Sequence, residues 1–309
     1  MIQVSHLTRY YGDFPALDDV SFEVREGEII GLLGLNGAGK STTLQILAGI
    51  LPPSRGRVTF DGQDVTDNAD LLKARIGFLP EEPPLYRDMR VSDFILYCAS
   101  LKGMSMSQAR SRLPTVLKQV GLEARANQLI STLSHGYKKR VGIAMAVIHD
   151  PKLIILDEPI SGLDPKQIIE LRTVIRRLGE GRAVLLSSHI LSEIGRTCDR
   201  LLFLADGKLV AQGTPADFLQ VMESDRMVLT VRGDEAAFLA WLQQHEQVLE
   251  ADLMASPGDG LARIALKLSG DVRETLLPEV AGAGFGLRLV EEPERDLEDI
   301  FLDLTGGAA

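Results

Sequence analysis

The sequence contains only two cysteines, no apolar segment of membrane-spanning length and no signal-peptide pattern. Cys98 and Cys198 form no CxxC pair, so neither a disulfide framework nor a zinc site is indicated, and a reducing compartment fits. No apolar run approaches the roughly 18 residues that a membrane-spanning helix needs. The stretch MIQVSHLTRYYG lacks the basic-then-apolar order of a secretory signal. We therefore expect a cytoplasmic protein that neither crosses a membrane nor is exported by this route.

Positive charge is also scarce. Lysine and arginine number 33 against 43 aspartates and glutamates, which gives a formal net charge of -10. Because non-specific affinity for nucleic acid comes from basic surface, this balance argues against DNA or RNA as the main partner. The 45% hydrophobic and 25% charged residues are ordinary for a globular protein. A chain of 309 residues favours one large domain and a smaller one.

The beginning of the chain has the pattern of several strands followed by a loop and a helix. IQVSHL, VSFEV and EIIGLLGL place apolar residues between turn residues, which indicates strands. GLNGAGKST then leads into the apolar-periodic TTLQILAGI, which predicts a helix stopped by Pro52 and Pro53. A strand, a glycine loop and a helix in this order are the context that a phosphate-binding loop requires.

The middle of the chain combines strands with a block of helices. RVTFDG and RIGFLP are predicted as short strands, and helical patterns dominate from about 85 to 150. LIILDEP and RAVLLSSH are apolar runs, the pattern of strands buried on both faces of a parallel sheet. These segments predict an α/β core that carries a helical insertion.

The composition changes near Thr214 and Pro215, which we take as the boundary between domains 1–215 and 216–309. Beyond it, the predicted order is strand, helix, strand, strand, helix and strand, which resembles the split βαβ arrangement called ferredoxin-like. A small α+β domain is therefore expected. DLEDIFLDLT follows as an amphipathic helix, and such stripes usually pack on their own domain. Its apolar positions are Leu297, Ile300, Phe301 and Leu304.

GLNGAGKS fits the pattern G-x-x-x-x-G-K-[ST] of a phosphate-binding loop. The glycines let successive main-chain N–H groups turn towards phosphates, Lys40 reaches the β- and γ-phosphate oxygens, and the Ser41 hydroxyl binds Mg²⁺. A plain glycine turn is the alternative, and the strand-to-helix context disfavours it. The predicted ATP-binding residues of this loop are Gly34, Leu35, Asn36, Gly37, Ala38, Gly39, Lys40, Ser41 and Thr42.

LIILDEP places Asp157 and Glu158 where a predicted buried strand ends. A carboxylate at such a place holds Mg²⁺ through water, and its neighbour orients and deprotonates the attacking water in phosphoryl transfer. We therefore predict Asp157 as a ligand of the metal and Glu158 as the catalytic base. The alternative is a strand that ends at the surface without any chemistry, and the upstream phosphate-binding loop disfavours it.

Ser134 and Gly136, in LSHGY, precede another helical run and form a second candidate anion site, because a helix N-terminus favours negative charge. Together with the glycine loop and LIILDEP, this stretch resembles the LSGGQ signature of the ATP-binding subunits of ABC (ATP-binding cassette) transporters. The resemblance covers about 1–220, with the motifs in the family's order. It implies that two cassettes pair head-to-tail, as a homodimer, and that Ser134 and Gly136 contact the ATP of the partner cassette.

The resemblance also implies the fold, an α/β P-loop NTPase core of the ABC type with an N-terminal antiparallel β subdomain and a helical insertion. Tyr11 matches the aromatic residue that stacks on adenine, and an ordinary packed aromatic is the alternative. His189 matches the switch histidine that contacts the γ-phosphate, against the alternative of a structural histidine. Residues 161–164 match the D-loop, which touches the other cassette.

Two positions depart from the family pattern. Glu81, in GFLPEEPPLY, stands where most transporter cassettes have the Q-loop glutamine, and its carboxylate is a candidate ligand of Mg²⁺. It also adds negative charge beside phosphates. In the signature, His135 replaces a Gly and Tyr137 replaces the Gln, while Ser134 and Gly136 are kept. The KKR run that follows is predicted as a solvated helix face, and the alternative is that it adds positive potential near the partner's nucleotide.

These substitutions and the C-terminal LEDIFLDLT look like the cassettes that serve ABC-2-type export permeases, such as those of gliding-motility and drug-resistance systems. The resemblance implies an ATPase on the cytoplasmic face of the cell membrane, which powers export through a separate permease. Pro83, Pro84 and Leu85 are the expected contact. A soluble ABC ATPase of translation or DNA repair is the alternative, but such proteins usually join two cassettes or carry long coiled coils. A GTPase would need an NKxD motif after a strand, which this sequence lacks.

Overall fold

The protein is described by a computed structural model that divides the chain into two compact units. The first unit is Met1–Pro215, and the second lies within Ala216–Ile300. Each unit has a hydrophobic core of its own. The structure describes residues 1–66, 68–189, 194–218, 226–255, 258 and 260–291.

The first unit alternates strands and helices along most of its length. Short 3₁₀ turns, Glu123–Arg125 and Ile130–Thr132, lie between its fourth and fifth helices. In chain order its elements are β1 (Ile2–Tyr11), β2 (Phe14–Val24), β3 (Ile29–Leu33), α1 (Lys40–Leu47), β4 (Arg55–Phe60), β5 (Gln63–Asp64), α2 (Ala69–Arg75), β6 (Ile76–Leu79), α3 (Val91–Leu101), α4 (Met106–Val120), α5 (His135–Val147), β7 (Leu153–Leu156), α6 (Pro165–Gly179), β8 (Ala183–Ser188), β9 (Arg200–Ala205) and β10 (Lys208–Gly213).

An antiparallel sheet is formed by strands near the N-terminus. Its order is β2-β1-β4-β5. Ile2 of β1 lies opposite Phe60 of β4, and both side chains are buried. Alternate residues of β2 are buried towards its end, as expected for strands with one face on the core. The predicted N-terminal antiparallel β subdomain is confirmed.

The central sheet of the first unit has the order β10-β9-β3-β8-β7-β6. Its strands β9, β3, β8, β7 and β6 run parallel, and β10 pairs antiparallel with β9 at one edge. All residues of β3, β7 and β8 are buried, which explains their unbroken apolar sequences. The α/β core predicted from LIILDEP and RAVLLSSH is confirmed, whereas β9 and β10 were not recognised from the sequence.

Neighbouring strands of the central sheet end at a common edge, and the candidate site residues follow them directly. The glycine loop follows β3, Glu81 follows β6, Asp157 and Glu158 follow β7, and His189 follows β8. Because β3, β8, β7 and β6 are adjacent and parallel, their carboxyl ends meet on one side of the sheet, where α/β proteins bind ligands. The fold therefore brings together segments that are distant in sequence.

Helix α1 is shorter than the sequence suggested. It ends at Leu47, and Gly49 has a φ of 69°, a left-handed conformation that commonly terminates helices. The expectation that Pro52 and Pro53 stop the helix was therefore wrong, because the chain leaves the helical conformation before it reaches them.

The predicted helical insertion contains α3, α4 and α5. Helix α4 begins with a reciprocal cap. The Ser105 hydroxyl accepts from the Gln108 N–H at 3.2 Å, and the Gln108 side chain accepts from the Ser105 N–H at 3.0 Å. Pro114 lies inside α4 without ending it. These helices pack on one another, and α5 also packs against β6 and β7, which connects the insertion to the central sheet.

The second unit is a four-stranded antiparallel sheet with two helices. The strand order is β12-β13-β11-β14. Every second residue of β13 is buried, so one face of the sheet packs on the core. The order of strands and helices confirms the ferredoxin-like prediction, while the predicted closing helix lies outside the described residues. The elements are β11 (Arg226–Arg232), α7 (Glu235–Gln243), β12 (Val248–Leu253), β13 (Leu261–Leu268), α8 (Arg273–Gly282) and β14 (Gly286–Glu291).

Candidate functional site

Most of the predicted nucleotide-binding residues line one cleft of the first unit. The cleft has a volume of about 400 Å³, within the size range of small-molecule sites. It lies where the parallel strands of the central sheet end. The lining residues are Tyr11, Phe14, Ala16, Asn36, Gly37, Gly39, Lys40, Ser41, Thr42, Glu81, Glu158 and His189.

The glycine loop surrounds the side chain of Lys40. Lys40 is 6% exposed, and its Nζ donates to the carbonyl oxygens of Gly34 at 2.7 Å and Leu35 at 3.1 Å. Gly39 precedes α1 with a φ of 100°, and a Cβ there would lie 2.6 Å from the carbonyl oxygen of Ala16, so this position requires glycine. The loop thus holds a cation at the start of a helix, where main-chain N–H groups also favour an anion.

The cleft contains more acidic than basic side chains around Lys40. Burial lowers the pKa of Lys40, and the negative charges of Glu158, Asp157 and Glu81 oppose that shift. The three carboxylates outnumber the two ammonium groups near them, those of Lys40 and Lys139, and the excess negative charge repels a polyphosphate unless a further cation accompanies it. The charge distribution therefore fits a nucleotide that enters together with a divalent metal.

Asp157 lies beneath the cleft in a network with two serines. Asp157 is 4% exposed, and its Oδ1 accepts from Ser187 Oγ at 2.6 Å. Ser41 Oγ lies 3.4 Å from the same oxygen. A carboxylate and a hydroxyl are oxygen donors of the kind that Mg²⁺ prefers, so the pair predicted from the sequence has the chemistry of a magnesium site.

Glu158 and His189 form a hydrogen-bonded pair at the wall of the cleft. His189 Nδ1 lies 3.0 Å from Glu158 Oε2. The Glu158 side chain is 10% exposed and that of His189 is 43% exposed, so the carboxylate is largely shielded while the imidazole reaches the opening. The Glu158 N–H donates to Ser187 Oγ at 2.8 Å. Two residues at the end of β8, Ser187 and His189, therefore fix the position of Glu158.

The KKR run in α5 is not a solvated helix face, and this expectation from the sequence was wrong. Lys139 is 2% exposed, and its Nζ donates to the carbonyl oxygens of Glu81 at 2.6 Å and Glu158 at 3.1 Å. The Arg140 side chain is 11% exposed and pairs with Glu170 at 2.6 Å. These two cations are held by protein groups, because α5 presents this side to the central sheet and to α6.

Tyr11 lies at the rim of the cleft with its ring accessible. The residue is 48% exposed, and the Arg9 guanidinium lies 5.1 Å from the ring centroid, a favourable contact of a cation with an aromatic face. Phe14, 63% exposed, lines the same cleft. Exposed aromatic rings fit stacking on a nucleobase better than they fit core packing.

Ser134 and Gly136 do not belong to the residues that line this cleft. Ser134 is the N-cap residue of α5. Gly136 packs against α6, where a Cβ would lie 2.3 Å from Oε1 of Gln167. The Tyr137 ring packs against Arg125, whose guanidinium is 3.9 Å from the ring centroid. The start of α5 is therefore a surface separate from the cleft, and it packs against Gln167 of α6 and against Arg125.

Ser187, Lys139 and Phe14 were missed in the sequence. Ser187 ends the apolar run of β8, and two serines after such a run were a signal that the strand end is polar because it borders a site. Lys139 stands three residues after Gly136 and three before Gly142, which places it on the buried face of α5 by helical spacing. Neither the serines nor the helical spacing identifies the hydrogen-bond partners, since these partners are in segments that follow other strands, β6 and β7.

Comparison with known proteins agrees with this geometry. Residues 17–161 match the family model described as ABC transporter. The chain is 32% identical to the linearmycin resistance ATP-binding protein LnrL of Bacillus subtilis, over 99% of this chain and 98% of that protein. It is 33% identical to the Nod factor export ATP-binding protein I of Rhizobium meliloti, over 99% of this chain and 88% of that protein.

A solved structure shares the fold of the first unit. The dimeric structure of MJ0796, a bacterial ABC transporter cassette, is similar with a TM-score of 0.63 and 29% identity, and the match covers 70% of this chain and 99% of that chain. Among the residues that the structure describes, no helix has the length and apolarity needed to cross a bilayer. The resemblance seen in the motifs is confirmed: the chain belongs to the ABC transporter family, as one of its ATP-binding, ATP-hydrolysing subunits.

Proposed function

We propose that this subunit powers export through a separate membrane permease by the ATP-driven pairing of two cassettes. Two similar proteins carry the words linearmycin resistance and Nod factor export in their names, which supports export as the direction of transport. The chain would then sit on the cytoplasmic face of the cell membrane, held there by the permease.

In the proposed complex, ATP lies in the cleft with its adenine on Tyr11 and its phosphates at the glycine loop. Lys40 would exchange its contacts with the loop carbonyls for the β- and γ-phosphate oxygens. Ser41, Asp157 and Glu81 would hold Mg²⁺, Asp157 through water. When bound, the metal neutralises charge that develops on the phosphates. The acidic surroundings of Lys40 support this joint binding of metal and nucleotide.

Glu158 is the proposed catalytic base. The attacking water gives its proton to the Glu158 carboxylate while its oxygen bonds to the γ-phosphorus, and the bond from that phosphorus to the β–γ bridging oxygen breaks to release ADP. His189 would orient the carboxylate through Nδ1 and contact the γ-phosphate through Nε2. The observation that carries the proposal is the 3.0 Å contact between Glu158 and His189 in the cleft that Lys40 and Ser41 also line.

The second cassette is proposed to be another copy of this chain. Ser134 and Gly136, at the start of α5, would contact the ATP held in the cleft of that copy. Two observations support this arrangement. These residues are separate from the residues that line their own cleft, and the similar cassette MJ0796 is described as dimeric.

The contact with the permease is proposed on the surface that follows Glu81. Residues 83–85 lead into a pair of exposed aromatic side chains, Tyr86 at 53% and Tyr97 at 37% exposure, whose ring centroids are 5.6 Å apart. Exposed apolar groups of this kind mark sites of protein association. Residues 216–309 would form an accessory domain that supports the dimer or docks a ligand or partner.

Purification from detergent-solubilised membranes should bring down an integral-membrane protein with the chain, whereas a factor of translation or DNA repair would bring down none.

The substitution Glu158→Gln tests the proposed function. The variant should bind ATP with Mg²⁺ and form a stable dimer, because the amide keeps the shape of the side chain. Its turnover should fall about 10²–10⁴-fold, the range expected for the loss of a general base. ATP affinity, dimer formation by light scattering and phosphate release are the three measurements.

The matched control is Glu180→Gln, which makes the same change at an exposed residue after α6 and should keep normal turnover. Near-normal phosphate release by Glu158→Gln would remove Glu158 from the role of base. A variant that is fully loaded with ATP yet monomeric would contradict the pairing of two cassettes through Ser134 and Gly136.

A further inference from the structure

Lys139 is a buried cation for which the proposed hydrolysis names no role. It is 2% exposed, and burial lowers its pKa while the charges of Glu81 and Glu158 oppose that shift. Burying an ammonium group is costly unless hydrogen-bond partners compensate for the lost water. The two partners that the structure provides are therefore informative about what this lysine does.

Both partners are main-chain oxygens of the candidate site. The Lys139 Nζ donates to the carbonyl oxygen of Glu81 at 2.6 Å and to that of Glu158 at 3.1 Å. Glu81 belongs to the segment after β6, and Glu158 belongs to the segment after β7. One ammonium group thus ties the backbones of two site loops to helix α5.

The backbone of Glu158 needs such support. Its φ is 45°, in a left-handed region that residues with a side chain rarely adopt. Its N–H donates to Ser187 on one side, and its carbonyl oxygen accepts from Lys139 on the other. The direction in which the Glu158 carboxylate leaves the chain depends on this conformation, because the side chain is fixed to the same α-carbon.

Helix α5 carries a second feature one turn before Lys139. The helix starts at His135, with Ser134 as its N-cap residue. A rigid helix connects positions that are one turn apart, so a displacement of the Ser134 end is transmitted to Lys139. This helix therefore joins the surface proposed to contact the partner's ATP with the backbone of the chain's own Glu158.

We propose that Lys139 is a positioning residue for Glu158. By donating to the carbonyl oxygens of Glu81 and Glu158, Lys139 holds both loops against α5 and so fixes the position of the Glu158 carboxylate relative to the start of that helix. This inference rests on the proposed role of Glu158 as the base. Lys139 acts on the hydrolytic step through the main chain of Glu158, and ATP binding at the glycine loop does not depend on it.

The test replaces Lys139 in the full chain by Met, which retains the apolar stem, and by Arg, which retains a cation with N–H donors. The expected result for Lys139→Met is a fall in kcat of about 10–100-fold, the range for losing hydrogen bonds to a charged group. ATP affinity, measured by calorimetry with a non-hydrolysable analogue, should stay within about twofold. Lys139→Arg should lose less kcat than Lys139→Met, because it can still donate to both carbonyl oxygens.

The control is Lys118→Met, which removes the same charge from an exposed position of α4. It should keep kcat within about twofold of the parent. An equal loss of kcat in Lys118→Met and Lys139→Met, or equal kcat in the Met and Arg variants of Lys139, would overturn the proposal.

A double-mutant cycle with Glu158→Gln separates positioning from a general effect on the fold. If Lys139 acts through Glu158, the change Lys139→Met should lower the residual turnover of Glu158→Gln much less than it lowers that of the parent. Residual turnover is measured as phosphate release from radiolabelled ATP over hours. Equal factors in both backgrounds would overturn the proposal, and the cycle is run with Lys139→Arg if the Met variant does not fold. Near-normal turnover of Glu158→Gln alone would instead contradict the proposed function.

Discussion

The half-buried His149, two residues after the end of α5, has an environment that favours its neutral form. Burial lowers the pKa of His149 from 6.5 to about 4, and the positive charges of Lys102 and Arg112 act in the same direction. Its Nε2 donates to the carbonyl oxygen of Ile76 at 3.2 Å, while its buried Nδ1 has no hydrogen-bond partner among the residues that the structure describes. The negative charge of Asp150 favours the protonated form and only partly offsets these effects, so protonation of His149 is costly in the folded state.

This environment predicts how stability depends on pH. Because the folded pKa lies below the unfolded value, the unfolded chain binds more protons between pH 6.5 and 4, and stability falls as the pH drops through that window. The variant His149→Gln has no imidazole, so this pH-dependent contribution to stability is absent. Its side-chain amide can still donate a hydrogen bond to the carbonyl oxygen of Ile76. Between pH 7.5 and 5 the parent should lose about 2 kcal/mol more unfolding free energy than the variant, measured by urea unfolding of the first unit.

The control for this prediction is His135→Gln, which makes the same change at an exposed position. Its stability should follow the pH dependence of the parent. If the parent and His149→Gln lose the same unfolding free energy between the two pH values, His149 does not titrate in the way that its burial indicates.

Sequence patterns identified the elements of the site more completely than the contacts between them. Strands β7 and β8 were predictable because an unbroken apolar run marks a strand covered on both faces, and the glycine loop was predictable because its spacing is specific. The end of α1 was not predictable from Pro52 and Pro53, because the left-handed Gly49 ends the helix before the chain reaches them. Lys139 was misjudged because a run of charges indicates solvent exposure until the elements that pack on it are known.

One close approach between elements depends on the absence of a side chain. Gly77 lies in β6, and a Cβ on it would lie 2.1 Å from the carbonyl oxygen of Ala146 in α5. The change Gly77→Ala should therefore push α5 away from the sheet and destabilise the first unit by about 1–3 kcal/mol, the usual cost of overpacking a core. Urea unfolding measures this loss. Turnover should fall as well, because α5 also carries Lys139.

The control is Gly282→Ala in the last turn of α8, where a Cβ would meet no atom of the described residues within 4 Å. This change should be neutral or slightly stabilising, since alanine favours helix over glycine. A neutral effect of Gly77→Ala would show that α5 can shift at no cost and would weaken the idea that it transmits a displacement.

At the scale of the whole molecule, the two units differ in what ATP can do to them. The core of the first unit contains alternate residues of β3 and β7 of the central sheet, packed with apolar residues of β1, β2 and α1. The second unit has its own core around Phe238, Ile264 and Leu276. Its sheet also carries ion pairs between strands, of which Arg263 with Glu291 at 3.0 Å is one. A change of composition near Thr214 and Pro215 predicts a domain boundary there, whereas the residues of one chain do not specify the partner of the second unit.

Separate cores predict separate responses to ligand and mutation. A ligand stabilises only the unit that binds it, by about 2.7 kcal/mol when its concentration is a hundred times Kd. Mg·ATP should therefore raise the Tm of one calorimetric transition in Glu158→Gln, which hydrolyses ATP slowly, and leave a second transition unchanged. Phe238→Leu, at a fully buried position of α7, should lower only the second Tm, by roughly 4–8 °C for each kcal/mol lost.

Mg·ATP acts on the core of the first unit and Phe238→Leu acts on the core of the second, so comparing the transitions that they shift shows whether the two cores unfold separately. If Phe238→Leu lowers the transition that Mg·ATP raises, the units unfold as one cooperative body. The second unit would then take part in nucleotide-dependent pairing directly, because any free energy that ATP adds to the cleft would be shared with it. If the responses stay separate, ATP binding energy is confined to the first unit, and movement of the permease must be driven from the surfaces around Glu81 and the start of α5.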